Sequence, residues 1–481
     1  MHRQSFEANT VQLNTVDLER RRAMPMAGGR LPAVFKRLLQ FTGVSVAIAV
    51  AVKPLTTSSL PPPVDPHAKA KLARGDGWDA ALLEPLNAGL RGEILRYGDL
   101  AQATYDAFDN RYWSRNCGTC LHGLRRMLPA LGLAGHGYVA TAFIYATCDV
   151  DIPRWLMARL HADAWDDHAN WAGYVAVAGA EEASRVGHRD VVVVWRGTMA
   201  AEEWFMNLRT SFVPFDTAAG DGAMVAEGFH TLYTSSNAGD SYGARSARDQ
   251  VADELKRLVE HFGKRGEEVR ITFTGHSLGG ALALLSARDA AAAHPGVPVR
   301  AVTFSAPRVG NRAFSDGLTS RNVSVLRVVV MTDLVPLLPR TALEASVAGV
   351  VGGLWALAGL RQASAYVHVG HELALNVSKS PHIKDSPDRV GSHNLELCLH
   401  LLDGHETAAG AFRQDGAPRR DVALVNKRSA MLHDKEGIPE EWSQMANKGL
   451  ERDGSGRLVV PERELDDMPM ANDVLPVSEL D

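Results

Sequence analysis

The segment Gly275-His276-Ser277-Leu278-Gly279-Gly280 sets a serine between two glycines at two-residue spacing. A serine hydroxyl attacks a carbonyl carbon when a base takes its proton and donors stabilise the negative charge that develops. The flanks suit that chemistry. Residues 269–274 read as a short strand, and residues 278–294, rich in alanine and leucine, read as a helix. A sharp strand-to-helix turn lifts the hydroxyl clear of a sheet. Gly275 and Gly279 keep that turn uncrowded around His276, and the new helix aims its free N–H groups at the charge. The pattern is a G-x-S-x-G nucleophile elbow, and it predicts Ser277 as the nucleophile.

The serine needs a base, and the base needs an acid that orients it. Behind an elbow of this kind the acid and then the histidine follow in the chain. Asp333 comes directly after the valine-rich run 328–332 and before Leu334-Val335-Pro336, which places it at a strand end. Asp316, Asp385 and Asp388 are rivals but fall in apparent loops or helix starts. His393 lies between Gly391-Ser392 and the amphipathic run 394–402, at a helix start. It is the predicted base, with His368, inside an expected strand over 366–375, as the alternative. An oxyanion would take the N–H of Leu278, next to the nucleophile, and that of Thr198, where an earlier strand ends.

These groups need a sheet whose strand ends carry them. Residues 191–196, 269–274, 299–305 and 323–330 read as strands. Helical spacing links Leu86, Leu90, Ile94, Tyr97, Ala101, Tyr105 and Phe108, and again Val251, Leu255, Leu258, Val259 and Phe262. Apolar strands alternating with helices predict an α/β fold with a mostly parallel central sheet and helices on both faces.

Composition excludes several classes of protein. Apolar residues make up 46% of 481 and charged residues 22%, enough for a sizeable core. The net charge of −5 gives no footing for nucleic acid. The four cysteines, with a lone CxxC at Cys117 and Cys120, suit neither a disulfide scaffold nor a metal site. They read as reduced thiols, with a local disulfide or redox pair as the alternative. No apolar run reaches the roughly 20 residues of a membrane-spanning helix.

Residues 1–64 read as an N-terminal extension. From Arg20 to Val64 there is no acidic residue, while Arg20, Arg21, Arg22, Arg30, Lys36, Arg37 and Lys53 are basic. That is an organelle-import pattern for plastid or mitochondrion, with secretion or a plain disordered tail as the alternatives. Its end, Ser58, Ser59 and Pro61 to Pro63, reads as a linker; one catalytic domain follows over about 76–460, then an acidic tail over 461–481 expected to be mobile. Within the domain, residues 345–360 are apolar with four glycines. This segment reads either as a core helix or as one lying on a lipid surface, with Leu354, Trp355 and Leu357 at the interface.

Taken in order, several motifs resemble the class 3 lipases, and among them the plant sn-1-specific phospholipase A group with its plastid-targeted members. They are Val194-Trp195-Arg196-Gly197-Thr198; Glu203-Trp204 with Asn207-Leu208; Gly228-Phe229 with Leu232-Tyr233; and Gly275 to Gly280. Further on come Thr303-Phe304-Ser305-Ala306-Pro307-Arg308-Val309-Gly310-Asn311, Asp333-Leu334-Val335-Pro336 and His393-Asn394-Leu395-Glu396. The resemblance implies the α/β-hydrolase fold, a triad of Ser277, Asp333 and His393, and oxyanion donors at Thr198 and Leu278. It also implies hydrolysis of the sn-1 acyl ester of phospholipids at a membrane or lipid-droplet surface, with no cofactor and no metal. Galactolipids or triacylglycerols are the alternative substrates. A non-catalytic hydrolase-fold receptor is the remote alternative.

Overall fold

The computed structural model describes residues 80–481 apart from 111–113, 115, 148–168, 199–209, 218, 340–365, 385–390, 408–409, 411, 414–419, 444–450, 453, 456, 460–467, 471–472 and 481. The N-terminal extension, Cys148, Glu203-Trp204, Asn207-Leu208 and the apolar segment 345–360 lie outside the described residues.

Among the described residues, seven strands form one sheet, in chain order from edge to edge: β1 (Tyr138–Ala146), β2 (Asn170–Ala178), β3 (Arg189–Trp195), β4 (Val269–His276), β5 (Val299–Phe304), β6 (Ser324–Val330) and β7 (His371–Leu375). β2 runs antiparallel to both neighbours, and β3 to β7 are parallel. Every residue of β3, β4 and β5 is buried, as expected for parallel strands covered on both faces.

Among the described residues, the longest helices cover the two faces of the sheet in pairs. α1 (Ala88–Asp106) packs with α4 (Leu395–Gly404), and α2 (Ala247–Lys264) with α3 (Leu278–Ala293). α1 starts where the Asn87 side chain accepts from the N–H groups of Gly89 and Leu90, and α2 where Ser246 accepts from Asp249. Of the apolar face predicted for α2, Val251, Leu255, Leu258 and Phe262 are buried and Val259 is half-buried. At the amino ends of the strands, the buried Asp190 carboxylate accepts hydrogen bonds from Tyr97 (2.7 Å), Tyr138 (2.8 Å) and Thr272 (2.7 Å). This network ties α1, β1 and β4 to β3. The chain adopts the α/β-hydrolase architecture predicted for it.

Three features differ from the sequence-based expectation. β1 and β2 were not predicted, because runs such as Asn170-Trp171-Ala172-Gly173 dilute the β-branched signal with small residues. β7 begins only at His371, because Gly370 turns the chain at φ +80°, against the Val325 carbonyl. The third is the tail. Among its described residues Leu475 and Leu480 are buried, Leu475 N–H donates to the Thr141 carbonyl at 2.8 Å, and Arg125 holds Glu479 through two hydrogen bonds. Strand β1 is a sheet edge with backbone groups left to pair, and the tail meets it in an isolated bridge between Ala142 and Val474.

Candidate active site

The predicted residues converge at the carboxyl ends of the parallel strands. Thr198 follows β3, Ser277 follows β4, Asp333 follows β6, and His393 sits between β7 and α4.

Ser277 is buried and has φ 59°, a left-handed conformation costly for a residue with a side chain. The turn is enforced from all sides. Its N–H donates to the Phe304 carbonyl at 2.9 Å, extending the β4–β5 ladder by one rung. A Cβ on Gly275 would lie 2.4 Å from the Gly279 carbonyl carbon, and one on Gly279 would lie 2.3 Å from the Trp195 carbonyl oxygen. Helix α3 therefore touches the backbone of β3, which only glycine allows. Gly279→Ala is expected to cost about 3 kcal/mol of stability, since the clash is with backbone that cannot rotate away. Thermal unfolding checks this: an unchanged melting temperature contradicts the close approach.

Asp333 and His393 meet. The His393 Nδ1–H donates to Asp333 Oδ2 at 2.7 Å, with the carboxylate fully buried. Asp333 Oδ1 accepts from the Val335 N–H at 2.9 Å, so both carboxylate oxygens are fixed. The histidine loop is tied down twice. The Ser392 and Thr332 hydroxyls are hydrogen-bonded at 2.8 Å, joining it to the acid loop. Asn394 caps α4 and donates to the Val425 carbonyl and the Ser429 hydroxyl, each at 3.0 Å. Of the rival acids, Asp316 pairs with Arg312 at the surface, and Asp385 and Asp388 lie outside the described residues. His368 precedes β7 instead of lying in it.

The opposite ring nitrogen, His393 Nε2, is buried without a hydrogen-bond partner among the described residues, and so are Ser277 Oγ and Thr198 Oγ1. Buried polar atoms are normally paired. Gly197, the neighbour of Thr198, stands close to the nucleophile: its side-chain position is 3.2 Å from Ser277 Cβ. The rings of His276 and His393 are 4.5 Å apart. Leu278 opens α3, so its N–H lacks an acceptor within the helix. An acid-oriented imidazole, a buried hydroxyl and the helix-opening N–H of Leu278 together fit acyl transfer through a covalent intermediate.

One contact at the elbow escaped the sequence. The Tyr105 hydroxyl and His276 Nδ1 are hydrogen-bonded at 2.7 Å across 171 residues of chain. Burial, and then the nearby His393, hold His276 well below the usual histidine range. It stays neutral, so a proton arriving on His393 meets no second positive ring. No local pattern in the sequence links Tyr105 to the elbow.

Residues 192–342 match the family model described as Lipase (class 3). Phospholipase A1-Igamma1, chloroplastic, of Arabidopsis thaliana is 40% identical over 412 residues, covering 82% of this chain and 78% of that protein. The chain belongs to the class 3 lipases. Its relatives in that family include the Arabidopsis thaliana phospholipase A1-Igamma3, chloroplastic, at 38% identity, covering 81% of this chain and 76% of its own length. The phospholipase A1-II 6 of Oryza sativa subsp. japonica is 37% identical, covering 81% and 93%. As a class 3 lipase the chain is a carboxylic ester hydrolase acting on lipid.

Proposed function

We propose that this lipase is a phospholipase A1, cleaving the sn-1 acyl ester of a glycerophospholipid through an acyl-enzyme on Ser277. The observation that carries the proposal is the strained Ser277 turn facing the same end of the sheet as the His393–Asp333 pair. The names of the relatives support the substrate. The word chloroplastic in two of them, with the basic, acid-poor stretch 20–64, supports import into plastids.

Ser277 Oγ attacks the sn-1 carbonyl carbon while its proton passes to His393 Nε2. The carbonyl oxygen becomes an oxyanion and accepts from the N–H groups of Thr198 and Leu278. Asp333 keeps the His393 Nδ1–H in place and stabilises the imidazolium. As the tetrahedral species collapses, the bond to the glycerol oxygen breaks and His393 returns the proton to that oxygen, releasing the lysolipid. Water then attacks the acyl-enzyme with His393 as base. The fatty acid leaves, and Ser277 regains its proton.

A lipid surface is the proposed docking partner. Met331 and Leu337 flank Asp333 at the site's rim and are 62% and 44% exposed. The apolar segment 345–360, with Leu354, Trp355 and Leu357, comes a few residues later in the chain and is proposed to meet the same lipid surface. Leu354→Asp with Leu357→Asp should reduce hydrolysis of phosphatidylcholine vesicles at least about tenfold, since two charges would have to approach the acyl region. Hydrolysis of a soluble short-chain ester should barely change. Equal losses on both, with a lower melting temperature, would mark the segment as core. Product analysis on phosphatidylcholine, monogalactolipid and triacylglycerol tests the substrate. Lysolipid acylated only at sn-2 from phosphatidylcholine is expected, whereas preferred turnover of either other lipid contradicts it.

A further inference from the structure

The stretch Trp195-Arg196-Gly197-Thr198 buries a cation that the steps above leave unused. Arg196 is 2% exposed, directly beyond β3. Its backbone N–H donates to the Ala172 carbonyl and its Nε to the Trp171 carbonyl, both at 2.8 Å, so the residue is anchored to β2. Its guanidinium carbon lies 3.8 Å from the centre of the Phe108 ring, which fixes the plane of the group. Held this way, Nη1 donates to the Gly197 carbonyl at 3.3 Å.

The carbonyl of Gly197 and the N–H of Thr198 are the two ends of one planar peptide group. A donor on the carbonyl sets the plane and therefore the direction of the N–H. A cationic donor also draws electron density toward the oxygen and leaves the N–H a stronger donor. The other side of the peptide is closed off. A side chain on Gly197 would stand 2.1 Å from the Tyr105 hydroxyl, 2.6 Å from the His276 carbonyl and 3.2 Å from Ser277 Cβ. The peptide is thus held between the arginine and the elbow.

We infer that Arg196 is a positioning residue for acyl transfer: through the Gly197 carbonyl it orients and polarises the Thr198 N–H toward the oxyanion formed on Ser277. The inference rests on the roles proposed above for Ser277 and Thr198. The ester carbonyl carries little charge before attack, so the effect belongs to the tetrahedral state and to kcat.

The test compares Arg196→Gln, Arg196→Lys and Phe108→Leu in the full chain. The measurements are kcat and KM on a soluble short-chain ester, inhibition by a long-chain alkyl trifluoromethyl ketone, and binding of a short-chain diether phosphatidylcholine. The ketone forms a hemiketal oxyanion with the serine; the diether cannot. Arg196→Gln should lower kcat and weaken the ketone by about tenfold or more, with KM and diether affinity nearly unchanged. Arg196→Lys restores the charge and should recover part of the loss. Phe108→Leu keeps the cation but frees its plane, and should fall between. Parallel weakening of ketone and diether, or unchanged kcat in folded variants, would overturn the inference. If Arg196→Gln does not fold, the same comparison in the other two variants decides. Failure of the ketone to form a Ser277-dependent adduct with the unaltered protein would contradict the nucleophile itself. Normal adduct formation, equally strong in all the variants, would contradict only the role of Arg196.

Discussion

Ser277→Ala should reduce kcat about a million-fold, because a nucleophile, its base and its acid act as one unit and losing the nucleophile removes nearly all their contribution. The fold should be untouched. Ser277 Oγ makes no hydrogen bond among the described residues, so its removal breaks none and relieves a buried unpaired hydroxyl. The φ of 59° is as strained for alanine as for serine, so the backbone cost does not change. The melting temperature should therefore hold or rise slightly while turnover collapses. Activity on a soluble ester within about tenfold of the unaltered enzyme contradicts the assignment, since a triad that has lost its nucleophile keeps only the residual catalysis of binding and oxyanion donors.

Asp333→Asn should cost about ten-thousand-fold in kcat, by comparison with other Ser-His-Asp enzymes. The shape of the side chain is retained, but its amide can place a donor where His393 Nδ1 already presents one. Relieving that conflict moves the ring proton to Nε2, the atom that must accept from the serine. The Val335 N–H, which now donates to Oδ1, can still find the amide oxygen, so the loop should survive. Asp316→Asn is the control. That residue pairs with Arg312 at the surface and should be silent within about twofold. Steady-state kinetics on the purified variants decides. A silent Asp333→Asn would mean that His393 is oriented by something else.

Much of the site was legible because its chemistry is bound to local pattern. Ser277 stood out through its glycines and through the change from strand to helix across it. Asp333 stood out because a valine run ends just before it. His393 was preferred to His368 on loop position alone, and the chain places it against Asp333 Oδ2. The parallel half of the sheet was equally readable, since strands buried on both faces are continuously apolar. β1 and β2 were not, because alanine and glycine interrupt their aromatic and β-branched residues and dilute the strand signal. The docked tail was missed because what decides it is the open edge of β1, a property of the assembled sheet. Likewise the Tyr105–His276 and Arg196–Trp171 contacts join residues 171 and 25 positions apart, and no periodicity reports such pairs.

The central claim is that Ser277 carries the acyl group during turnover. Its most direct test is reaction of the purified protein with a fluorophosphonate, followed by peptide mapping by mass spectrometry. The phosphonyl adduct is expected on the peptide containing Ser277, with loss of esterase activity in step with labelling and no labelling of Ser277→Ala. A protein that stays unlabelled while hydrolysing lipid, or an adduct mapped to another serine, would contradict the account.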